Sequence, residues 1–300
     1  MPEPAASSDQ VAVLPRRSPW ALFLTLWPVM PIWRKLDTAI VMVAAYTALV
    51  VLLASETGVS LPDWSGGSTI LNGIVLGLLL GFRTQAAYDR WWEGRRLWGQ
   101  LVNDSRSLCT KISALGNVSV EARSELRRLV PAFATALMHR LRETGSLQRL
   151  SGFEKSPERP AHVPLFLYGR LMVVLQAERT AGRMTEVDLL FVEPHLRGFM
   201  DVCGGCERIG NTPLPQSYRA LSRHGLALYL LSTPWLVTNN LLWWTIPVMA
   251  LLAYFLLGVE LTAEHVEEPF GRDADDLALA SYCETIRSSV EQALAADHAS

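Results

Sequence analysis

Long apolar runs alternate along this chain with stretches where charged and apolar side chains interleave. No Lys or Arg stands between Lys35 and Arg83, and none between Arg223 and Arg272. Each gap has room for two membrane helices of roughly 20 residues and a turn. In the first gap, LDTAIVMVAAYTALVVLLAS (36–55) and TILNGIVLGLLLGF (69–82) read as spans on either side of a Gly/Pro/Ser loop. In the second, GLALYLLSTPWLV (225–237) and LLWWTIPVMALLAYFLLGV (241–259) flank the polar turn Thr238–Asn240. Soluble cores rarely exclude both basic residue types over such lengths, so four spans in two hairpins are predicted.

Between the hairpins the pattern changes. Apolar residues recur every three or four positions over 93–115, 121–143, 164–180, 184–208 and 215–224. That period predicts helices. The stretch TGSLQRLSGFEKSPERPAHVP (144–164) is rich in loop formers and divides the region in two. After the last span, an acidic turn leads into a helix from about Leu277. Strand alternation and tandem repeats are absent from the sequence. The predicted fold is an all-α integral membrane protein in five parts. These are a tail and interfacial segment (1–35), a first hairpin (36–90), a helical domain (91–224), a second hairpin (225–259) and a C-terminal segment (260–300).

Composition agrees with this division. Half of the 300 residues are hydrophobic and 19% are charged, which suits a membrane protein better than an average soluble domain. A net charge of −2 makes no case for nucleic acid. The 27 Lys and Arg fall into three blocks, Arg16 to Lys35, Arg83 to Arg223 and Arg272 to Arg287. The first loop carries Glu56 and Asp63 but no cation. By the positive-inside rule both hairpin tips face out, and both termini and the middle domain lie in the cytosol. The expected location is the inner cell membrane, crossed several times. Near the N-terminus, PRRSPWALFLTLWPVM (15–30) resembles a secretory signal. However, Pro28 and Pro31 interrupt its apolar run and no small-residue cleavage pattern follows. An interfacial segment anchored by Trp20, Trp27 and Trp33 is predicted instead, after a disordered 1–15.

Candidate chemistry is sparse. Of Cys109, Cys203, Cys206 and Cys283, the pair Cys203-Gly-Gly-Cys206 has the spacing of a redox dithiol or half a zinc site. No second CxxC or suitably spaced His completes it, and cytosolic thiols stay reduced. Two small packed residues are the simpler reading, and a four-span membrane thiol oxidoreductase the rival. No HxxxH, GxSxG, P-loop or GxGxxG is present, so the chain carries no enzyme signature. Asp273, Asp275 and Asp276 do not make an EF-hand, whose fifth and sixth positions would fall on Leu277 and Ala278. Helix capping by Asp275 or Asp276 is preferred to cation binding.

The most informative stretch is GIVLGLLLGFRTQAAYDRWWEGRRLW (73–98), one helix that begins apolar and turns into arginine and tryptophan. Gly73, Gly77 and Gly81 form a small-residue stripe suited to close helix packing. Ile74, Leu78 and Phe82 form a bulky stripe about 100° away. Spacing alone leaves open whether this second stripe meets lipid or lines a passage. Tyr88, Trp91, Trp92 and Trp98, interleaved with Arg90, Arg95 and Arg96, are predicted to carry the helix through the headgroup layer. Arg can stack on their rings. A helix lining a conduit from membrane to cytosol has reason to continue in this way.

At FRTQAAYDRWWEGRRLWGQLVNDSR (82–106) the chain resembles the bestrophins, in particular their bacterial homologues. RIGNTPLPQSYRALSRH (208–224), TPWLV (233–237) and EEPFGRDADDLALASYCETI (267–286) match in the same order, and the resemblance covers about residues 18–290. It implies a homopentameric ion channel in the lipid bilayer, with four membrane helices per subunit and a cytosolic helical region around one axial pore. Ile74, Leu78 and Phe82 then fall on the hydrophobic neck and Leu214 on the cytosolic aperture. Asp273, Asp275 and Asp276 fall on the acidic cluster that contributes to a calcium clasp in animal members. Here Arg272 and Ala274 interrupt that cluster, which counts against calcium control, and no other cofactor is expected. Small monovalent ions are the expected cargo, with chloride implied by the family and a Phe82 ring edge able to face an anion. Sodium conduction by the same fold is the alternative, and a membrane-anchored scaffold is a third reading.

Overall fold

The computed structural model describes residues 31–57, 67–115 and 117–295, with side chains from Leu36 in the first segment and from Leu71 in the second. The predicted tail, Trp20, Trp27, the Trp33 side chain and most of the first hairpin tip lie outside these residues. Among the described residues there are eight α-helices, two short 3-10 turns and no strand.

Helices α1 (Pro31–Thr57), α6 (Gln216–Leu241) and α7 (Thr245–Glu267) pack with the first third of α2 (Gly67–Ala114) into one bundle. Leu76, Leu80, Leu226, Leu230, Met249 and Ala253 are its buried centre. The Tyr46 hydroxyl donates to the Leu231 carbonyl and accepts from Trp235 Nε1, both at 2.9 Å, pinning α1 to α6. Two stretches are long and apolar enough to cross a membrane, Leu36–Thr57 and Gln216–Glu267, the second of which contains two helices. The apolar start of α2 gives way at Arg83, one residue after Phe82. The turn expected at Thr238–Asn240 falls later, at Leu242–Trp244. Thr238 donates to the Pro234 carbonyl at 2.6 Å, so this polar residue is satisfied inside the helix. The chain instead turns at Leu242, whose φ is +49°.

The rest of α2 runs on into a second, larger core. Over 48 residues it is about 72 Å long, which makes it the one helix common to both halves. Against it pack α3 (Val120–Leu141), α5 (Glu186–Asn211) and α8 (Leu279–Ala295), and α4 (Val163–Thr180) packs on α3 and α5. Trp98, Leu101, Leu108 and Ile112 on α2 meet Phe133, Leu137, Phe199 and Ile286 in that core. Trp98 is fully buried and packs against Tyr282, with ring centroids 5.9 Å apart. It is therefore a core residue and not the interfacial anchor expected from its neighbours. The loop at 144–164 does not divide the domain either. It contains a 3-10 turn (Leu147–Arg149) and sends Leu147, Leu150 and Phe153 into the same core. A Pro/Gly/Ser composition marks irregular backbone, and here that backbone is packed.

One buried carboxylate holds α3 and α4 in register. Ser119 caps α3 by accepting from the Ala122 N–H at 3.2 Å. Its own N–H and hydroxyl donate to the two oxygens of Glu178, at 2.9 and 2.7 Å. Arg183 grips the same oxygens from the other side, both contacts at 2.7 Å. Hydrogen bonding by Arg183 holds the Glu178 carboxyl down at about 2. A lowered folded-state value means the stabilisation is complete above the usual 4.5 and lost as pH falls toward about 2. Glu178→Gln should cost about 1.5–3 kcal/mol at neutral pH. Thermal melts of the purified protein should show that the variant loses less additional stability than wild type between those two pH values.

Candidate functional site

Helix α2 buries one face in the bundle through Leu76, Leu80, Arg83 and Ala87. Ile74, Leu78 and Phe82 lie roughly 120–160° from Leu76 and Leu80 around the helix. They remain 57%, 59% and 66% exposed. Among the described residues neither Phe82 nor Leu78 belongs to a buried core. The glycine stripe runs between the two faces. A Cβ on Gly73 would meet the Tyr229 hydroxyl at 3.2 Å, but one on Gly77 or Gly81 would meet nothing within 4 Å among the described residues. Among the described residues only Gly73 of this stripe packs on another helix of the chain, and bulky Leu76 and Leu80 fill the interface. Close approach through glycine occurs elsewhere, at Gly205, where a Cβ would come 2.9 Å from Leu97.

Behind Phe82 sits a charged knot that spacing did not single out. Arg83 is fully buried. Its Nη2 is 2.7 Å from Glu267 Oε2 and its Nε 3.8 Å from Glu260 Oε1. Arg219 and Arg223 approach the same two carboxylates from α6, at 4.0 and 3.6 Å. A buried cation is tolerated only with such partners, because desolvating it alone costs several kcal/mol. Glu267 has a further role: its Oε1 accepts the Leu214 N–H at 3.1 Å. Two turns below Arg83, Arg90 donates to three carbonyls, those of Ile209 and Thr212 at 2.6 Å and Glu267 at 3.1 Å. The 212–215 loop, which carries Leu214, is therefore held to α2 directly by Arg90 and indirectly through Glu267, which pairs with Arg83. The available signal was that Arg83 and Glu260 are the first charges after their apolar runs, one basic and one acidic.

The acidic triad does not gather into a ligand set. Asp276 turns back to accept the Asp273 N–H at 2.6 Å, and the Asp273 carboxylate lies 3.4 Å from His265 Nδ1. The Asp275 carbonyl accepts Trp91 Nε1 at 3.1 Å. Burial pushes the Asp276 carboxyl above its ordinary range. The expected helix cap is absent too. Helix α8 begins at Leu279, and the Leu277 N–H goes to the Pro269 carbonyl. Asp276 braces the preceding turn.

Among the described residues, one His/Cys/Asp/Glu trio brings its ligand atoms within 4.8 Å of one another: His162, Cys203 and Glu207. Its bonding does not suit a metal. His162 Nδ1 accepts the Leu165 N–H at 3.1 Å as the cap of α4. The ring proton is thereby left on Nε2, which faces Glu207 at 3.0 Å. That same Glu207 oxygen accepts from Arg140 at 2.9 Å. Cys203 and Cys206 are fully buried, and burial lifts the Cys203 thiol to about 12 and the Cys206 thiol also upward. They stay protonated where a redox dithiol needs a thiolate. Replacing both by Ser should cost about 1–3 kcal/mol for each hydroxyl left without a partner. The double variant should still fold and assemble, as size-exclusion chromatography and thermal melts would show.

Long apolar helices, an exposed apolar stripe and a buried ion-pair knot behind it have the form of a helical membrane protein. The sequence matches the family described as Bacterial/Fungal Bestrophin protein over residues 12–292. It is 33% identical over 296 residues, 92% of this chain and 93% of the relative, to a voltage-dependent anion channel-forming protein of Synechocystis. A protein of the same description from Escherichia coli K12 is 30% identical over 73% of this chain and 74% of its own. A solved bacterial bestrophin homologue from Klebsiella pneumoniae superposes with a TM-score of 0.80 at 25% identity, covering 87% of this chain and 99% of that one. The chain belongs to the bacterial and fungal bestrophin family.

Proposed function

We propose that this chain is the subunit of a homopentameric membrane channel conducting small monovalent anions, chloride among them. The observation that carries the reading is the bare apolar face of α2, where Ile74, Leu78 and Phe82 are each more than half exposed, opposite the packed face. Five copies around an axis stack three apolar rings about 6 Å apart. An ion there loses hydration without polar compensation, so wetting and dewetting control passage. Leu214 forms a second constriction. Gly77 and Gly81, which meet nothing within 4 Å among the described residues, take the neighbouring subunit. In this arrangement α1, the first third of α2, α6 and α7 cross the inner membrane. The hairpin tips face out, and the second core and both termini lie in the cytosol.

The names of the relatives support an anion, as does the edge of the Phe82 ring. One observation favours the sodium-conducting alternative. Asp89, seven residues below Phe82 on the same face, is exposed, and five copies would ring the cytosolic exit with negative charge. Reconstitution into planar bilayers under an asymmetric chloride gradient tests both readings. A reversal potential near the chloride equilibrium value supports the anion channel, and one of opposite sign the alternative. Detergent-solubilised protein should have the mass of about five subunits. Tags at position 62 should be external, and those at 155 and 300 internal. Absence of current from assembled protein would overturn the proposal.

A further inference from the structure

We propose that Glu267 and Arg83 are positioning residues that make the neck and the cytosolic aperture move as one unit. The inference rests on the pore reading above and adds the physical link between its two constrictions. That link is short. Phe82 is bonded to Arg83, Arg83 pairs with Glu267 at 2.7 Å, and Glu267 holds the Leu214 N–H at 3.1 Å. Both charged groups are at least 98% buried by side chain, so water and salt do little to screen the pair. The two oxygens of Glu267 are divided between the tasks, Oε2 for the neck helix and Oε1 for the aperture loop. A shift of α2 therefore pulls on the aperture through one rigid carboxylate. Arg90 adds a parallel strut to Thr212 and Ile209. No other carboxylate among the described residues touches both α2 and the Leu214 backbone. Coupling between sites requires a measured interaction and not mere proximity, and a double-mutant cycle supplies it.

The four native cysteines are buried, so Leu214→Cys places a reactive thiol at the half-buried aperture position against a quiet background. A charged methanethiosulfonate added from the cytosolic side reaches that thiol without passing the neck. Its reaction rate, read as loss of current, therefore reports the aperture alone. Alanine at Ile74, Leu78 and Phe82 should change that rate about tenfold, although no substituted side chain lies on the reagent's path. With Glu267→Ala added, the neck substitutions should still raise conductance, but the rate at position 214 should no longer respond to them. Glu267→Gln keeps an oxygen for the Leu214 N–H and should restore part of the response. Where Glu267→Ala does not assemble, Arg83→Lys keeps the charge but loses the planar fork, and it should weaken the response. A rate indifferent to the neck in the otherwise native channel, or a response that survives Glu267→Ala and Arg83→Lys, would overturn the link. Unchanged conductance in the triple-alanine channel would overturn the pore reading, and the proposal with it.

Discussion

Alanine at Ile74, Leu78 and Phe82 together should raise single-channel conductance several-fold while the proposed pentamer still forms. The side chains removed are the exposed ones, so truncation leaves little cavity behind. In the proposed pore it replaces three dry rings by a wider, wetted passage. The control lies on the opposite face of the same helix. Leu76 and Leu80 are 5% and 3% exposed in the bundle centre, and alanine at either should cost about 2–5 kcal/mol. Those variants should lose assembled protein on size-exclusion chromatography without any rise in the unit conductance of what remains. Unchanged conductance in a well-assembled triple-alanine channel would put the wrong face of α2 on the axis.

The second large effect concerns Arg83. Arg83→Leu leaves Glu260 and Glu267 buried without their principal cation, and breaking a buried pair in this way costs about 3–5 kcal/mol. The melting midpoint of the solubilised protein should fall by about 6–20 °C at the response usual for large domains. Adding Glu260→Gln and Glu267→Gln removes the stranded charges and should recover most of that loss. A single Arg83→Leu variant as stable as wild type would mean that the knot contributes nothing to the fold.

The architecture was legible wherever periodicity or charge decided it. The helices predicted at 121–143, 164–180 and 184–208 correspond to α3, α4 and α5 within a few residues, because each has one apolar face to bury. The gaps without Lys or Arg located α1, α6 and α7, because stretches long enough to span a membrane exclude those residues. What spacing could not give was the partner of each face. The glycine and Ile/Leu/Phe stripes both recur every four residues, and only the packed coordinates reveal that among the described residues Gly77 and Gly81 meet no neighbour and Ile74, Leu78 and Phe82 stay exposed, while Leu76 and Leu80 pack. Trp98 was misplaced because an indole beside arginines looks interfacial, and its burial depends on Tyr282, 184 positions away. The acidic triad was read by composition, whereas a backbone turn decides where Asp276 points. Arg83 and Glu267 escaped notice because a buried ion pair is a long-range fact. Neither residue is unusual until the other is beside it.

That separation has a consequence for how the protein is made. Glu260 and Glu267 emerge from the ribosome roughly 180 residues after Arg83. At about 5–20 residues per second the guanidinium waits on the order of 10–35 s for its partners. During biosynthesis the newly inserted α2 must keep that cation at the water-facing edge of the bilayer, its aliphatic stem laid along the helix and its head in the interface. Arrival of α7 then draws it inward. Closure of the knot thus comes late, and in the proposed topology chains truncated before Glu260 should leave Arg83 at the membrane–water interface.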